Sequence, residues 1–217
     1  MTLPKLQMTK DGSHTLISHD YADTYHSRHG AIAEAQHIFI KNGLFNYRHY
    51  SKLNIFEMGF GTGLNTVLTY LNHSNCQKIN YTAIDSLPLP LSLIKQLNYS
   101  DWIDADTLFA IHHHPWNMRL NLSDTFNLYK DHNTLINHHP HDSYDLIYYD
   151  AFGPTYQPEL WTIDIFKHLY KWLNSKGMVV TYCAKGSVKR DFCSVGFNVQ
   201  TLQGPPGKRE MIIAVKA

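Results

Sequence analysis

Apolar positions along the chain fall into short runs that switch between two periods. Residues 53–58, 80–85, 144–150 and 178–183 are runs rich in β-branched and aromatic side chains, the length of buried strands rather than helices. Between them, apolar residues recur at helical spacing: 64–71, patches at 91–97 and 102–109, and Ile165, Phe166, Leu169, Tyr170 and Leu173 in a segment opened by Pro158-Glu159-Leu160-Trp161 and closed by Ser175-Lys176-Gly177. Strands alternating with helices predict an α/β fold, a mostly parallel sheet covered on both faces. A short helix over 187–192 then precedes a strand at 196–202. Only the loop 204–209 separates that strand from the last one, 210–215, so these two should be antiparallel neighbours.

Two hairpins interrupt this alternation. Asp11-Gly12 lies between the alternating runs 5–9 and 14–18, the strongest short hairpin signal. Runs 118–122 and 125–129 flank Ser123-Asp124, and the second ends in Lys130-Asp131. Residues 21–30 are too polar for core and lead into a helix over 31–39, whose Glu34 reads as solvated surface unless a ligand claims it. Residues 133–143 read as a surface loop. With 217 residues the chain can bury one good-sized core. The expected organisation is therefore a single domain over 1–217, with an N-terminal β-hairpin extension at 1–20 and a hairpin/helical insertion at 87–143.

Candidate chemistry centres on Glu57-Met58-Gly59-Phe60-Gly61-Thr62-Gly63-Leu64-Asn65, a strand breaking into alternate glycines and then a helix. Such a turn offers backbone N–H groups and a helix N-terminus to a ligand. A dinucleotide fingerprint wants a small residue at position 64, where this chain has Leu64. An acid two residues ahead of the glycines, Glu57, suits a cationic amino-acid moiety better than a pyrophosphate. S-adenosyl-L-methionine (AdoMet) carries both an ammonium and a sulfonium; the plainer alternative is a tight turn in a generic Rossmann-like domain. Asp85 ends the next strand, where an acid accepts ribose hydroxyls. A parallel sheet closing on an antiparallel strand is the arrangement of Rossmann-like, class I AdoMet-dependent methyltransferases.

Composition narrows the picture mainly by exclusion. A net charge of +1 gives no general pull toward nucleic acid, so an RNA partner must be held by a local basic face. No apolar run approaches the ~20 residues that span a bilayer, and residues 1–5 lack a signal-peptide core, so a cytoplasmic protein is expected. Cys76, Cys183 and Cys193 form no C-x-x-C pair and read as reduced, mostly structural thiols. Adjacent His112, His113 and His114 on a strand point to alternate faces and find no third ligand by spacing, so no metal is expected.

Several segments together are similar to one family. Glu57 to Asn65, then Asp150-Ala151-Phe152-Gly153-Pro154 with Pro158-Glu159-Leu160-Trp161-Thr162, then Lys208-Arg209-Glu210-Met211, resemble the methyltransferase domain of the bacterial tRNA 5-methylaminomethyl-2-thiouridine biosynthesis enzyme (MnmC-type). Tyr25, Ser27, Gly30 and Glu34 resemble that family's N-terminal cofactor-contacting segment. Bifunctional members carry a flavin oxidase domain after this one, so the resemblance points to a stand-alone form that relies on a separate enzyme to supply its substrate. The family often has Glu where this chain has Asp85, which shortens the side chain and keeps its acceptor chemistry.

The resemblance implies AdoMet-dependent methylation of the exocyclic amine of 5-aminomethyl-(2-thio)uridine at the tRNA wobble position. It implies a cofactor site of Tyr25, Ser27, Gly30, Glu34, Glu57 (near the methionine moiety), Gly59, Gly61, Gly63, Asn65, Asp85 (the ribose), Asp131 (the adenine end) and Asp150. Asp150, at a strand's carboxyl end, is expected to orient the amine and accept its proton. Phe152, Pro154 and Trp161 are candidates to meet the uracil, with Trp161 equally readable as core. Lys185, Lys189, Arg190, Lys208 and Arg209 are candidates for phosphate contact, or a solvated basic face. Two other readings stay open on residues alone: a small-amine methyl- or aminopropyltransferase, and a non-catalytic RNA-binding relative.

Overall fold

The computed structural model describes residues 3–21 and 23–217. Met1, Thr2 and Ala22, which belong to the expected hairpin extension and the polar segment behind it, lie outside the described residues. The extension itself is a two-stranded antiparallel hairpin of β1 (Lys5–Met8) and β2 (His14–Ile17). The remaining strands are β3 (Lys52–Met58), β4 (Lys78–Asp85), β5 (Arg119–Ser123), β6 (Phe126–His132), β7 (Tyr144–Tyr149), β8 (Leu173–Thr181), β9 (Phe197–Gln203) and β10 (Glu210–Lys216). They form one eight-stranded sheet in the order β5-β6-β4-β3-β7-β8-β10-β9. The central strands β6, β4, β3, β7 and β8 are parallel, and β5 adds an antiparallel edge. At the other side β10 inserts between β8 and β9, antiparallel to both.

Period-two alternation in β3 explains how the layers divide. Leu53, Ile55 and Glu57 point to one face and Phe56 to the other. The first face is covered by α1 (Ala31–Ala35), α2 (Leu64–Asn72), α3 (Leu91–Ile94) and α4 (Ala105–His113). The second is covered by α5 (Ile163–Trp172) and α6 (Gly186–Val195), where Phe166 and Phe192 stack at 4.0 Å. Phe166 is fully buried, which stabilises the fold by about 2–3 kcal/mol relative to exposure.

Four features differ from the pattern-based expectation. The helix expected over 31–39 is an α-helix only to Ala35 and continues as a π-helical turn, Gln36–Lys41. Helix α5 starts at Ile163 rather than Pro158, because Thr162 Oγ1 accepts from Ile165 N and caps it, leaving Pro158–Leu160 as a separate 3-10 turn. Ser175-Lys176-Gly177 lies within β8 as an irregularity, with Lys176 at φ +63°, instead of closing the helix. The three adjacent histidines lie at the end of α4, not on a strand. Among the described residues no helix is long and apolar enough to cross a membrane, and no group of three or more His, Cys, Asp or Glu is placed to hold a metal ion.

Candidate active site

The glycine turn leaves the carboxyl end of β3 and feeds α2. Gly59 N and Phe60 N both donate to Ile84 O, at 3.1 and 3.0 Å, which ties the turn to β4. Gly59 sits at φ +90°, and a β-carbon there would lie 3.0 Å from Asp150 O, so only glycine lets the turn pass the end of β7. Gly63 caps α2 in the left-handed region, with a β-carbon excluded by His112 at 2.8 Å. Asp85 joins two loops: Oδ2 accepts from Gly61 N at 2.9 Å and Oδ1 from Leu87 N at 2.8 Å. Burial raises its carboxyl despite those two bonds. Each oxygen keeps one lone-pair direction for a further donor.

Above this turn lies a cavity of about 650 Å³ at the carboxyl ends of the parallel strands, where open α/β sheets bind ligands. Asp150, just past β7, lines it and accepts from Asn65 Nδ2 at 2.9 Å. Burial pushes the Asp150 carboxyl up to about 7, the Asn65 bond pulls it back, and the Glu34 and Lys208 charges oppose each other on it. Glu34 is not solvated helix surface. Its Oε2 accepts from Ser27 N and its Oε1 pairs with Lys208 Nζ, both at 2.7 Å. Lys208 Nζ also lies 3.9 Å from the ring centre of Tyr182, whose hydroxyl donates to Ala151 O. An aromatic corner completes the wall: Tyr21 stacks on Phe152 at 4.4 Å and Tyr25 meets Phe152 edge-on at 5.1 Å. Gln157 holds that corner, accepting from Phe152 N and donating to Tyr21 OH.

Of the residues singled out in the sequence, Tyr25, Ser27, Glu34, Gly59, Gly61, Asn65, Asp85, Asp150, Phe152, Pro154, Lys185 and Lys208 line this cavity. The others lie elsewhere. Glu57 is fully buried under the turn on the α2 face, its Oε2 accepting from Tyr81 OH and Thr66 Oγ1 at 2.9 and 3.1 Å. It does not line the cavity, and burial pushes its carboxyl up to about 8. Asp131 points to the opposite side of the sheet and pairs with His138 Nδ1 at 2.7 Å in a separate small pocket. Its neighbour His132, in register with Asp85, lines the cavity instead. Trp161 is core: it packs on Tyr149 and donates from Nε1 to Phe152 O, supporting the aromatic corner from behind.

Gly30 and Gly63 shape the chain beside the cavity without lining it. Lys189 pairs with Glu210 at 2.7 Å, and Arg190 and Arg209 are exposed outside the cavity. Cys76 and Cys193 are exposed; only Cys183 is buried, and it lines the cavity. Sequence reasoning missed Tyr21, Gln157 and Tyr182 as wall residues. Their roles depend on contacts across 31 to 136 positions of sequence, and no local pattern signals them.

The wall fits AdoMet. Asp85 has free acceptor capacity for ribose hydroxyls, the turn can approach a ligand only because its glycines lack β-carbons, and the Asp150 carboxyl lines the cavity where a cationic group would lie. Comparison with known proteins agrees. The family model described as S-adenosyl-L-methionine-dependent methyltransferase matches residues 94–217. The tRNA 5-methylaminomethyl-2-thiouridine biosynthesis bifunctional protein MnmC of Burkholderia mallei (strain SAVP1) is 29% identical over 96% of this chain. The chain spans 34% of that relative's length, about a third. Among solved structures, MNMC2 from Aquifex aeolicus superposes with a TM-score of 0.78 at 23% identity, covering 99% of this chain and 70% of that one. Magnesium protoporphyrin IX methyltransferase from Synechocystis PCC 6803, solved with bound SAH, shares the fold at a TM-score of 0.53 and 10% identity, covering 86% of this chain and 84% of that one.

Proposed function

The chain belongs to the S-adenosyl-L-methionine-dependent methyltransferases, and from that premise we propose that it methylates the exocyclic amine of 5-aminomethyl-(2-thio)uridine at the tRNA wobble position. The observation that carries this reading is the placement of Asp150. It stands at the carboxyl end of β7, against the glycine turn, with one oxygen held by Asn65. When bound, AdoMet supplies a methyl group already activated on a sulfonium. What remains for the protein is to hold a neutral amine in line with it. Asp150 orients the amine through one N–H and accepts the proton that nitrogen sheds as it gains its methyl. The MnmC relatives are named for making this kind of nucleoside, and none of the observations favours a small-amine transferase or a non-catalytic role.

In this reading Asp85 holds the ribose, the backbone of Gly59 and Gly61 faces the methionine moiety, and Tyr25, Ser27 and Glu34 close the N-terminal side. Phe152 and Pro154 meet the flipped uracil, since single-stranded bases are read by stacking. Lys185 and Lys208, which line the cavity, are the inner candidates for phosphate contact, with Arg190, Arg209 and Lys189 as outer contacts. The protein then works in the cytoplasm, on tRNA whose wobble uridine already carries the aminomethyl group. The test is incubation with methyl-labelled AdoMet and tRNA bearing 5-aminomethyl-uridine. Label should enter the wobble nucleoside, and Asp150→Ala should abolish transfer while calorimetry still detects AdoMet binding. Undiminished turnover in Asp150→Ala would remove the role given to that carboxylate.

A further inference from the structure

Thr62 carries the polar side chain of the glycine turn, buried between Gly61 at φ +50° and Gly63 at φ +74°. A turn built on glycines has much freedom to lose, so whatever fastens it before a ligand arrives lowers the cost of binding. Two neighbours from the segment behind the N-terminal hairpin lie against it. A β-carbon at Gly61 would meet Tyr25 Cδ1 at 3.3 Å, and His26 Nε2, on the cavity wall, lies 3.4 Å from Thr62 Oγ1. That segment is bound in turn to β2. Tyr25 N donates to Leu16 O at 2.9 Å, Ser18 N to Asp23 O at 2.8 Å, and His26 N to Thr15 Oγ1 at 3.0 Å.

We propose that His26 is a positioning residue for the cofactor turn: its imidazole carries the ring hydrogen on Nε2, donates that N–H to Thr62 Oγ1, and so fastens the turn to the N-terminal hairpin. The inference rests on AdoMet lying over the turn, as read above. The contacts close into a ring. Thr15 Oγ1 lies 3.0 Å from His26 Nδ1, Thr62 Oγ1 lies 2.9 Å from Tyr99 OH, and Tyr99 OH lies 3.4 Å from the carbonyl oxygen of His14, the neighbour of Thr15.

Counting hydrogens gives the direction of each bond. Thr15 Oγ1 already accepts from His26 N, and among the described residues its own hydrogen has no acceptor other than His26 Nδ1. With Nδ1 accepting, the ring hydrogen sits on Nε2 and points at Thr62 Oγ1. Thr62 then donates to Tyr99, and Tyr99 to His14 O. Every hydroxyl in the ring gives one hydrogen and accepts one. The other tautomer fails twice. A hydrogen on Nδ1 strands the hydroxyl hydrogen of Thr15, which is fully buried. It also turns the Thr62 hydrogen toward His26, so Tyr99 must donate to Thr62 and its contact with His14 O has no hydrogen left.

A cationic ring would strand Thr15 in the same way, and the surroundings keep the ring neutral. Burial holds the His26 imidazole down to about 4; the Glu34 charge from α1 and the Asp11 charge from the β1–β2 turn pull it up, and Lys208 from the loop 204–209 pulls it down. The hairpin itself is gripped from the far side by the 3-10 turn Asn98–Asp101. His14 N donates to Asn98 Oδ1 and Asn98 Nδ2 to Gly12 O, both at 2.8 Å. The N-terminal extension is thereby the anchor of the cofactor turn, reached through one imidazole.

Two measurements test this. Two-bond proton–nitrogen NMR correlations on protein with labelled histidine, at neutral pH and without ligand, read the tautomer, His26 being the signal missing from His26→Gln. A neutral ring with its hydrogen on Nε2 is expected; a hydrogen on Nδ1, or a cationic ring, overturns the proposal. Calorimetry with AdoMet is the second. His26→Phe and Thr62→Val should each weaken binding about fivefold, the worth of one hydrogen bond. The double variant should bind no more weakly than Thr62→Val alone, because both changes cut the same tie. His26→Gln, whose amide can donate to Thr62, should restore affinity. A Phe variant that binds as tightly as the intact protein, losses that multiply in the double variant, or a Gln variant as weak as the Phe variant each overturn the proposal. If His26→Phe does not fold, the tautomer and the Gln variant decide. If the intact protein does not bind AdoMet, the cofactor reading fails on that result, and the tautomer still decides this one.

Discussion

Replacing Glu57 by glutamine changes stability in a way that depends on pH, and the dependence reveals the state of the buried carboxyl. In the folded chain the group titrates at about 8 instead of 4.5, because burial penalises the charged form. A folded value raised above the unfolded one contributes stability that is complete below the unfolded value and lost as pH rises through the folded one. Between pH 4.5 and about 8 the unfolded chain ionises this carboxyl while the folded chain does not. The intact protein therefore loses about 1.4 kcal/mol for each pH unit in that window, up to about 3 kcal/mol by pH 7. Glutamine is neutral in both states and escapes the loss. Other perturbed groups, such as His26 and His112, are common to both proteins and cancel in the difference. Urea unfolding of the pair at about pH 5.5, 6.5 and 7.5 gives the stability of the variant minus that of the intact protein. That difference should rise with pH by about 1.4 kcal/mol per unit. Altered contacts add only a constant offset, so the slope carries the result. A flat or falling difference would mean the carboxyl is charged in the fold and the reasoning is wrong.

Further outcomes follow from the same geometry. Gly59→Ala forces a β-carbon to 3.0 Å from Asp150 O at φ +90°; it should cost about 1–3 kcal/mol in chemical unfolding and weaken AdoMet binding by calorimetry. Lys208→Ala removes the partner of Glu34 and a cation that holds the Asp150 carboxyl down, so the rising limb of the pH profile for transfer should move to higher pH. Thr162→Ala deletes the cap of α5 and should lower stability by about 1 kcal/mol with AdoMet affinity unchanged.

Much of this arrangement is written locally in the chain. The strand, glycine turn and helix around Gly59 to Asn65, the acid ending β4 and the acid following β7 each lie in short patterns, and the structure gathers Gly59, Gly61, Asn65, Asp85 and Asp150 around one cavity. Two of the expected residues stand away from the cavity for different reasons. Glu57 is in phase with Leu53 and Ile55 and is sealed beneath the turn on the α2 face. Asp131 is one residue out of phase with His132, which stands opposite Asp85 and lines the cavity. Other features leave no local trace: Glu34 with Lys208, and Trp161 under Phe152, are made by packing distant segments. The π-helical turn after α1 replaces a helix that periodicity alone continues to Phe39.

The central claim is that AdoMet lies over the turn with its methyl group aimed at Asp150, and crystals grown or soaked with AdoMet test it most directly. The expected density runs from the Gly59–Gly61 backbone to Asp85, with the ribose hydroxyls on the Asp85 carboxylate and the methyl carbon facing Asp150. Density elsewhere, or a cavity left without ligand at saturating AdoMet, would contradict the account.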